Sequence, residues 1–228
     1  NKTWLSSPKY IQFFNDFLVK HTRLNKSSRI IDVGCGRGKI LGYLSIKLRF
    51  KTKPLGIDLK NHKDKNKKFI FKKIDALTFF KQNKKNFDLI LIKQTIHLLQ
   101  INKIKKLLSL CKNTLSPNGK IIIFFLDPIQ NQIPTFSLMA KQLGLSLRRD
   151  QKIIKLISKE FPKSIAKRFI FNVKISKKKY LKMIKNRYIS TLLWFSTEEI
   201  LKGVNEINLK YNSVIKFKDK LLCIIIKK

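Results

Sequence analysis

The chain has 228 residues, of which 43% are hydrophobic, and this allows one α/β domain with a modest insertion and a full core. No segment has the long uncharged apolar run of a membrane-spanning helix, and residues 1–21 lack the features of a secretory signal. The three cysteines have no metal-ligand spacing, so we predict no metal site and expect a reducing cytoplasm.

The formal net charge of +38 has two interpretations. A polyanion such as nucleic acid would be attracted to this surface. Alternatively, the lysines reflect the bias of an AT-rich genome, because Lys far outnumbers Arg and Ile, Asn and Phe are also abundant. Arginine is the residue suited to bidentate phosphate recognition. Nucleic acid is therefore a possible partner that the composition does not favour.

Short apolar runs alternate with helical patterns in the first half of the chain. The pattern predicts an N-terminal helical segment over residues 1–27 and an alternating core over residues 28–126. Strands are expected at 29–33, 54–57, 69–71, 87–92 and 121–126, and helices at 39–48, from 76, and at 101–115. The Ser-Pro-Asn-Gly run at 116–119 predicts a turn. Strands that alternate with helices imply a parallel sheet.

The second half departs from this rhythm. Residues 127–195 are expected to form a mainly helical insert that caps the substrate site, with one β-like run at 169–175. Ser196 to Glu199 is a capping box that opens a final helix. The apolar runs at 214–217 and 221–226 predict a β-hairpin whose turn is Lys218-Asp219-Lys220. We therefore expect one domain, completed by residues 196–228.

A glycine loop follows the first predicted strand, as Asp32-Val33-Gly34-Cys35-Gly36-Arg37-Gly38. Glycines permit a sharp turn and close approach of a ligand, and the following helix offers free N–H groups to an anion. The dinucleotide fingerprint Gly-x-Gly-x-x-Gly does not fit, because Lys39 stands where its third glycine belongs. A tight structural connection is the alternative.

Two further acidic residues follow predicted strands. Asp58 ends the second strand roughly 20 residues after the glycines, where nucleotide-binding α/β folds bind ribose hydroxyls. Asp75, with Ala76, follows the third strand. The alternatives are a surface turn for Asp58 and a helix N-cap for Asp75.

These motifs, in this order, resemble those of class I S-adenosylmethionine-dependent methyltransferases. Phe87-Asp88-Leu89-Ile90 through His97-Leu98-Leu99 and the 116–120 turn are also similar to segments of that family. The resemblance covers most of residues 28–126 and the last hairpin. It implies a Rossmann-like, mostly parallel seven-stranded sheet with a C-terminal antiparallel hairpin, and S-adenosyl-L-methionine as cofactor. The cofactor-binding residues so implied are Asp32, Gly34, Cys35, Gly36, Gly38, Asp58, Leu59, Asp75, Ala76 and Lys93, with Asp75 on the adenine amine.

The residues after the fourth strand are expected to face the transferring methyl group. A ligand binds where the strand order of an open parallel sheet reverses, and the family's order puts the first and fourth strands there. His97 is the candidate catalytic base, since its pKa lies near neutrality; local helix packing is the alternative. Lys93 either binds an anionic substrate or points to solvent, and Gln94 is expected to line the substrate pocket.

The insert supplies the other candidate substrate residues. Arg187 and Tyr188, near Tyr180 and Ser190, could grip a carboxylate or phosphate. Ordinary helix packing is the alternative. Trp4 and Tyr10 are expected in an N-terminal helix that folds over the cofactor or simply joins the core.

The main hypothesis is methyl transfer to an oxygen or nitrogen of a small, anionic molecule. An RNA methyltransferase is the second hypothesis, favoured by charge. Against it, the segment from Ile92 to Thr95 lacks the Asn-Pro-Pro-aromatic box of enzymes that methylate base amines, and it offers no cysteine to attack a pyrimidine. A catalytically inactive, cofactor-binding subunit is the third, although the intact glycines and Asp58 oppose decay of the cofactor site.

Overall fold

The computed structural model describes residues 3–228, whose seven strands form one sheet. The strands are β1 (Ile30–Val33), β2 (Leu55–Asp58), β3 (Ile70–Lys73), β4 (Phe87–Lys93), β5 (Leu115–Leu126), β6 (Ile165–Ser176) and β7 (Val214–Lys227). The helices are α1 (Pro8–His21), α2 (Lys39–Leu48), α3 (Ala76–Gln82), α4 (Ile101–Asn113), α5 (Ser137–Glu160), α6 (Lys177–Lys185) and α7 (Thr197–Lys210).

The strand order is β3-β2-β1-β4-β5-β7-β6, and the first five of these strands pair in parallel. The chain runs outward from β1 to β3 and then returns to the other side of β1 with β4. The order thus reverses between β1 and β4, where ligands of open α/β sheets bind. The mostly parallel, seven-stranded sheet confirms the predicted fold class.

Helices cover both faces of the sheet, as its buried strands require. Along β4, Leu89 and Leu91 pack on one face with α1 and α2, while Ile90 and Ile92 pack on the other with α3, α4 and α5. This alternation follows from the two-residue period of a strand. Among residues 3–228, no helix combines the length and the apolar character needed to cross a bilayer.

The predicted C-terminal hairpin is wrong. Residues 214–227 form one continuous strand, β7, which pairs antiparallel with both β5 and β6. Lys218 to Lys220 lies within this strand because Asp219 keeps the alternation of the buried residues Ile215 and Leu221. The insert likewise contains a complete strand, β6, in addition to helices.

Two other local predictions have clear outcomes. The capping box is confirmed, since the Glu199 N–H donates to Ser196 Oγ at 3.1 Å and the Ser196 N–H donates to the Glu199 carboxylate at 2.7 Å. The turn predicted at 116–119 is wrong, because these residues form the start of β5 beside a bulge in its pairing with β4. Gly119 fits there because a Cβ would lie 2.7 Å from the Phe87 carbonyl oxygen.

Candidate active site

A cleft of about 640 Å³ opens at the carboxyl ends of β1, β2 and β4. We call it the cofactor cleft. Residues from all the predicted cofactor motifs line it, including Gly34, Asp58, Leu59, Asp75 and Ala76. Its floor is apolar, and it lies where the strand order reverses. The structure therefore gathers motifs that are separated along the chain into one cavity.

The three glycines of the loop adopt left-handed backbone angles, with φ of +74° at Gly34, +52° at Gly36 and +65° at Gly38. A Cβ on Gly34 would lie 2.2 Å from Thr95 Oγ1, and one on Gly38 would lie 2.0 Å from the Phe69 ring. A Cβ on Gly36 would meet no atom within 4 Å. Gly34 and Gly38 thus permit tight packing, whereas Gly36 leaves open space for a ligand.

Backbone hydrogen bonds fix this loop against β2. The N–H groups of Gly34 and Cys35 donate to the Ile57 carbonyl at 2.8 and 3.1 Å, and the Gly36 N–H donates to Asp58 Oδ2 at 2.8 Å. The Cys35 thiol faces Gly56 rather than the cleft, and burial raises its pKa to about 12. Cys35 therefore holds the loop in place and does not line the cleft.

Asp58 stands at the centre of the cleft edge. Its Oδ1 also accepts the Lys60 N–H at 2.9 Å, so two backbone donors orient the carboxylate. Leu59 is 69% exposed beside it and presents an apolar side chain at the rim. The arrangement suits a ligand with vicinal hydroxyls and an adjoining flat ring.

Asp75 has the helix-capping role that the sequence offered as an alternative. Its Oδ1 accepts the Thr78 N–H at 3.0 Å at the start of α3. Hydrogen bonds from the Thr78 side chain and backbone lower the pKa of Asp75. The residue also lines the cleft together with Ala76. The cap fixes the carboxyl group at the cleft wall, and its role on an adenine amine stays a prediction.

Asp32 and Lys93 lie beneath the loop instead of in the cleft. Asp32 is 3% exposed, and burial raises its pKa to about 7 against the opposing attraction of Lys93. The Lys93 ammonium stands 5.4 Å from the Phe14 ring centre and 5.8 Å from that of Tyr10. Burial lowers the Lys93 pKa, whereas Asp219 and Asp32 raise it. This half-buried lysine balances carboxylates, and its Nζ donates to Gln94 Oε1 at 3.5 Å.

The segment after β4 forms a wall between two cavities. Thr95, Ile96 and Leu98 line the cofactor cleft, whereas Gln94 and His97 line a second cavity on the other side. Gln94 adopts a left-handed φ of +52°, which turns the chain at the end of the strand. Residues 94–98 thus form a short wall whose side chains line the cofactor cleft on one side and the second cavity on the other.

The second cavity, which we call the acceptor pocket, has a volume of about 310 Å³. Side chains from six separate parts of the chain line it: Trp4, Leu5, Gln94, His97, Leu126, Ile133, Leu143, Ser146, Leu147, Arg149, Asp150, Tyr188, Ile189, Ser190, Thr191 and Asp219. The predicted substrate residues Gln94 and Tyr188 and the predicted base His97 are therefore brought together.

His97 is predominantly neutral at physiological pH in this pocket. Burial is the main cause of its lowered pKa, and the nearby Arg149 cation contributes further. Arg149 is anchored at the pocket edge, since its Nη2 donates to the Leu99 carbonyl at 2.9 Å. A neutral imidazole can accept a proton.

Arg187 does not enter the acceptor pocket. Its Nη1 donates to the Leu192 carbonyl at 2.6 Å and to the Phe195 carbonyl, so the guanidinium braces a turn. Tyr188 does line the pocket, and its hydroxyl lies 3.0 Å from that of Tyr180. Of the predicted anion-binding pair, only Tyr188 reaches the cavity.

Sequence reasoning missed Asp150 and Asp219, although each left a signal. Asp150 follows Leu143 by seven residues and precedes Ile153 by three, so it replaces an apolar residue on the buried face of α5. Asp219 similarly takes a buried position of β7 in line with Ile215 and Leu221, where an apolar residue is expected. A carboxylate within an apolar stripe is the pattern that should have singled them out.

A sheet that reverses its order beside a glycine loop, with a carboxylate at the end of the next strand, defines a Rossmann-like nucleotide-cofactor protein. The chain belongs to the methyltransferase domain family, whose profile matches residues 7–173. No curated protein matches the chain in sequence.

Solved structures share this fold at low sequence identity. A protein described as a methyltransferase from an antibiotic biosynthesis pathway of Anabaena variabilis is 14% identical, with a TM-score of 0.67 over 92% of this chain and 95% of its own. A SAM-dependent methyltransferase from Archaeoglobus fulgidus is 20% identical, with a TM-score of 0.55 over 96% and 94%. The plantazolicin methyltransferase BpumL, in complex with S-adenosylhomocysteine and a pentazolic desmethylPZN analogue, is 18% identical, with a TM-score of 0.51 over 96% and 83%. The predicted family, class I methyltransferases with S-adenosylmethionine as donor, is confirmed.

Proposed function

We propose that this protein transfers the methyl group of S-adenosylmethionine to an oxygen or nitrogen of a small molecule held in the acceptor pocket. The observation that carries the proposal is the shared wall, because residues 94–98 put the cofactor cleft and a second, smaller cavity side by side. Methyl transfer needs this proximity of donor and acceptor above all else.

The cofactor cleft has the chemistry to hold this donor. Asp58 offers a carboxylate to the ribose hydroxyls, while Leu59, Asp75 and Ala76 are positioned to receive the adenine. The open space in front of Gly36 and the start of α2, which has no side-chain cap, suit the carboxylate of the methionine end. When bound, the cofactor supplies a methyl group on a positively charged sulfur.

The protein's own contribution is to orient the acceptor and accept its proton. Gln94 and Tyr188 present polar groups to the acceptor pocket, and apolar residues exclude water around them. His97, kept neutral by its lowered pKa, receives a proton from the acceptor on a ring nitrogen. A fall in rate below the His97 pKa would follow from this role.

The cavity size favours a metabolite over RNA. A space of about 310 Å³ is at the lower end of small-molecule sites, and its lining is largely apolar. The anionic acceptor expected from the sequence loses its support, since neither Arg187 nor Lys93 lines the pocket.

Calorimetry with S-adenosylhomocysteine and with NAD tests the cofactor. We expect micromolar binding of the first, on the order of −8 kcal/mol, and no binding of the second. The opposite order of affinities would contradict the proposal. A Gly36→Val variant that still folds, as judged by circular dichroism, should lose this binding, because its side chain fills the open space.

Transfer is tested with methyl-labelled S-adenosylmethionine and separate small-molecule and RNA fractions of a cell extract. Label in the small-molecule fraction is expected, and a His97→Ala control should reduce it. Label in RNA would favour the nucleic-acid alternative. Cofactor binding without label in either fraction would favour an inactive subunit.

A further inference from the structure

The acceptor pocket contains a buried carboxylate that the fold leaves without a partner. Asp150 on α5 is 5% exposed and lines the pocket, and its Oδ1 accepts no hydrogen bond from residues 3–228. An unpaired buried acceptor costs about 1–3 kcal/mol. A cationic ligand in the pocket would offset part of this cost through its attraction to the Asp150 carboxylate.

A second carboxylate lines the same cavity. Asp219 on β7 is 1% exposed, and its Oδ2 accepts a hydrogen bond from Trp4 Nε1 at 3.1 Å. The Tyr10 hydroxyl also faces it. Asp219 is thus partly satisfied, and it adds negative charge to the pocket beside Asp150.

Among the described residues no lysine or arginine forms an ion pair with Asp150, although Lys93 offsets part of the charge of Asp219. Lys93 lies behind it among aromatic rings, and Arg187 is committed to backbone carbonyls. Arg149 is the one lysine or arginine among the lining residues, and its Nη2 is bound to the Leu99 carbonyl at the edge. An anionic ligand inside would face two buried carboxylates.

We propose that the acceptor pocket takes a small molecule with a protonated amine, and that the Asp150 carboxylate binds this group. The proposal rests on the proposed function and names its substrate class. Buried charges require a partner of opposite sign, and an ammonium supplies both charge and hydrogen-bond donors to Asp150. Asp150 is accordingly a specificity-determining residue.

The rest of the lining defines the body of this amine. Leu126, Ile133, Leu143 and Leu147 supply apolar surface, and the volume of about 310 Å³ limits the ligand to a small one. Tyr188 offers an aromatic side chain, to which organic cations are also attracted. A compact apolar or aromatic amine fits these walls.

The proposal carries a pH dependence. Burial raises the Asp150 pKa to about 7, against the opposing Arg149 cation. The other titratable groups that face the pocket are His97, Tyr188 and Asp219. An alkylamine stays protonated from about pH 6 to about pH 8, so its affinity should rise across this interval as Asp150 ionises.

Two probes of similar shape and opposite charge test the idea by calorimetry on the full chain, with and without S-adenosylhomocysteine. We expect 2-phenylethylamine to bind at least about tenfold more tightly than 3-phenylpropionate at about pH 8. Equal affinity, or a preference for the carboxylate, would overturn the proposal. Either result leaves the proposed methyl transfer intact when S-adenosylhomocysteine still binds.

Matched variants assign the effect to one residue. Asp150→Asn should remove the amine preference and its rise with pH, while Asp88→Asn, at the far end of β4, should keep both. Asp219→Asn should retain part of the preference, because Asp150 remains. An unchanged preference in Asp150→Asn would assign the cation elsewhere and overturn the role of Asp150.

Discussion

The cofactor cleft and the acceptor pocket share a wall but are built in different ways. Backbone conformation shapes the cleft through left-handed glycines, N–H groups and a capped helix, within short motifs at strand ends. The acceptor pocket instead collects side chains from the N-terminus, the segment after β4, α5, residues 188–191 and β7. The difference shows that cofactor binding is encoded locally, whereas acceptor recognition depends on tertiary packing.

The largest expected effect comes from a methyl group in the glycine loop. Gly38→Ala should lower the free energy of unfolding by about 3 kcal/mol or more, since a left-handed alanine is strained and its Cβ would overlap the Phe69 ring. Urea unfolding measures this. On α5, which lines the acceptor pocket, Gly144→Ala should raise the free energy of unfolding by about 0.5 to 1 kcal/mol, because there is space for a Cβ. Equal changes in the free energy of unfolding for Gly38→Ala and Gly144→Ala would remove the contrast between the cofactor cleft and the acceptor pocket.

In the acceptor pocket, by contrast, we expect a contribution to stability that depends on pH. Asp150 has a folded pKa of about 7, above its ordinary 3.8, so its ionisation destabilises the fold as pH rises through about 4 to 7. Asp150→Asn should therefore increase stability relative to wild type by about 2 kcal/mol at about pH 8, with a smaller gain at acid pH. Thermal unfolding at the two pH values measures the difference.

Asp127→Asn provides the opposite control for that experiment. The Asp127 pKa is lowered because backbone N–H groups of Gln130 and Ile129 and the Arg168 side chain outweigh its burial. Its stabilisation is present above the ordinary carboxyl pKa and is lost as pH falls through the lowered value. This variant should be less stable than wild type near neutrality, and the deficit should shrink in acid. If the stability difference from wild type changed with pH in the same direction in both variants, the raised pKa of Asp150 would be contradicted.

A third expected effect is confined to the cofactor cleft. Asp58→Ala should weaken S-adenosylhomocysteine by about 2 kcal/mol, roughly 30-fold, through lost ribose hydrogen bonds and a loosened Gly36. Calorimetry measures the change, and Glu198→Ala, at an exposed carboxylate of α7, serves as control. An unchanged dissociation constant for Asp58→Ala would remove this residue from the site.

The smallest effect concerns Arg187. Arg187→Lys should lower the unfolding free energy by about 1 kcal/mol, because lysine braces the carbonyls of Leu192 and Phe195 less well. Binding of S-adenosylhomocysteine and of both charged probes should stay the same. A selective loss of 3-phenylpropionate binding would instead restore the anion-binding role expected from the sequence.

Local signals in the sequence predicted some elements correctly, although the turn expected at 116–119 is part of β5. The ranges of α2 and the capping box were right because apolar periodicity and local hydrogen bonds specify them. The hairpin was wrong because Lys218-Asp219-Lys220 has the composition of a turn, and only its pairing with β6 keeps the backbone extended there. The place of Arg187 also escaped prediction, since a guanidinium binds backbone carbonyls and ligands through the same donors.

The wall at residues 94–98 has a thermodynamic consequence for the two ligands. Any shift of Gln94 or His97 on acceptor binding also moves Thr95 and Leu98, because the segment is short and continuous. A cofactor that prefers one position of this segment would change the affinity for the acceptor, and linkage requires the acceptor to change cofactor affinity by the same factor. Cooperativity between the two ligands then depends on five consecutive residues, and it is measurable as a coupling free energy between two titrations.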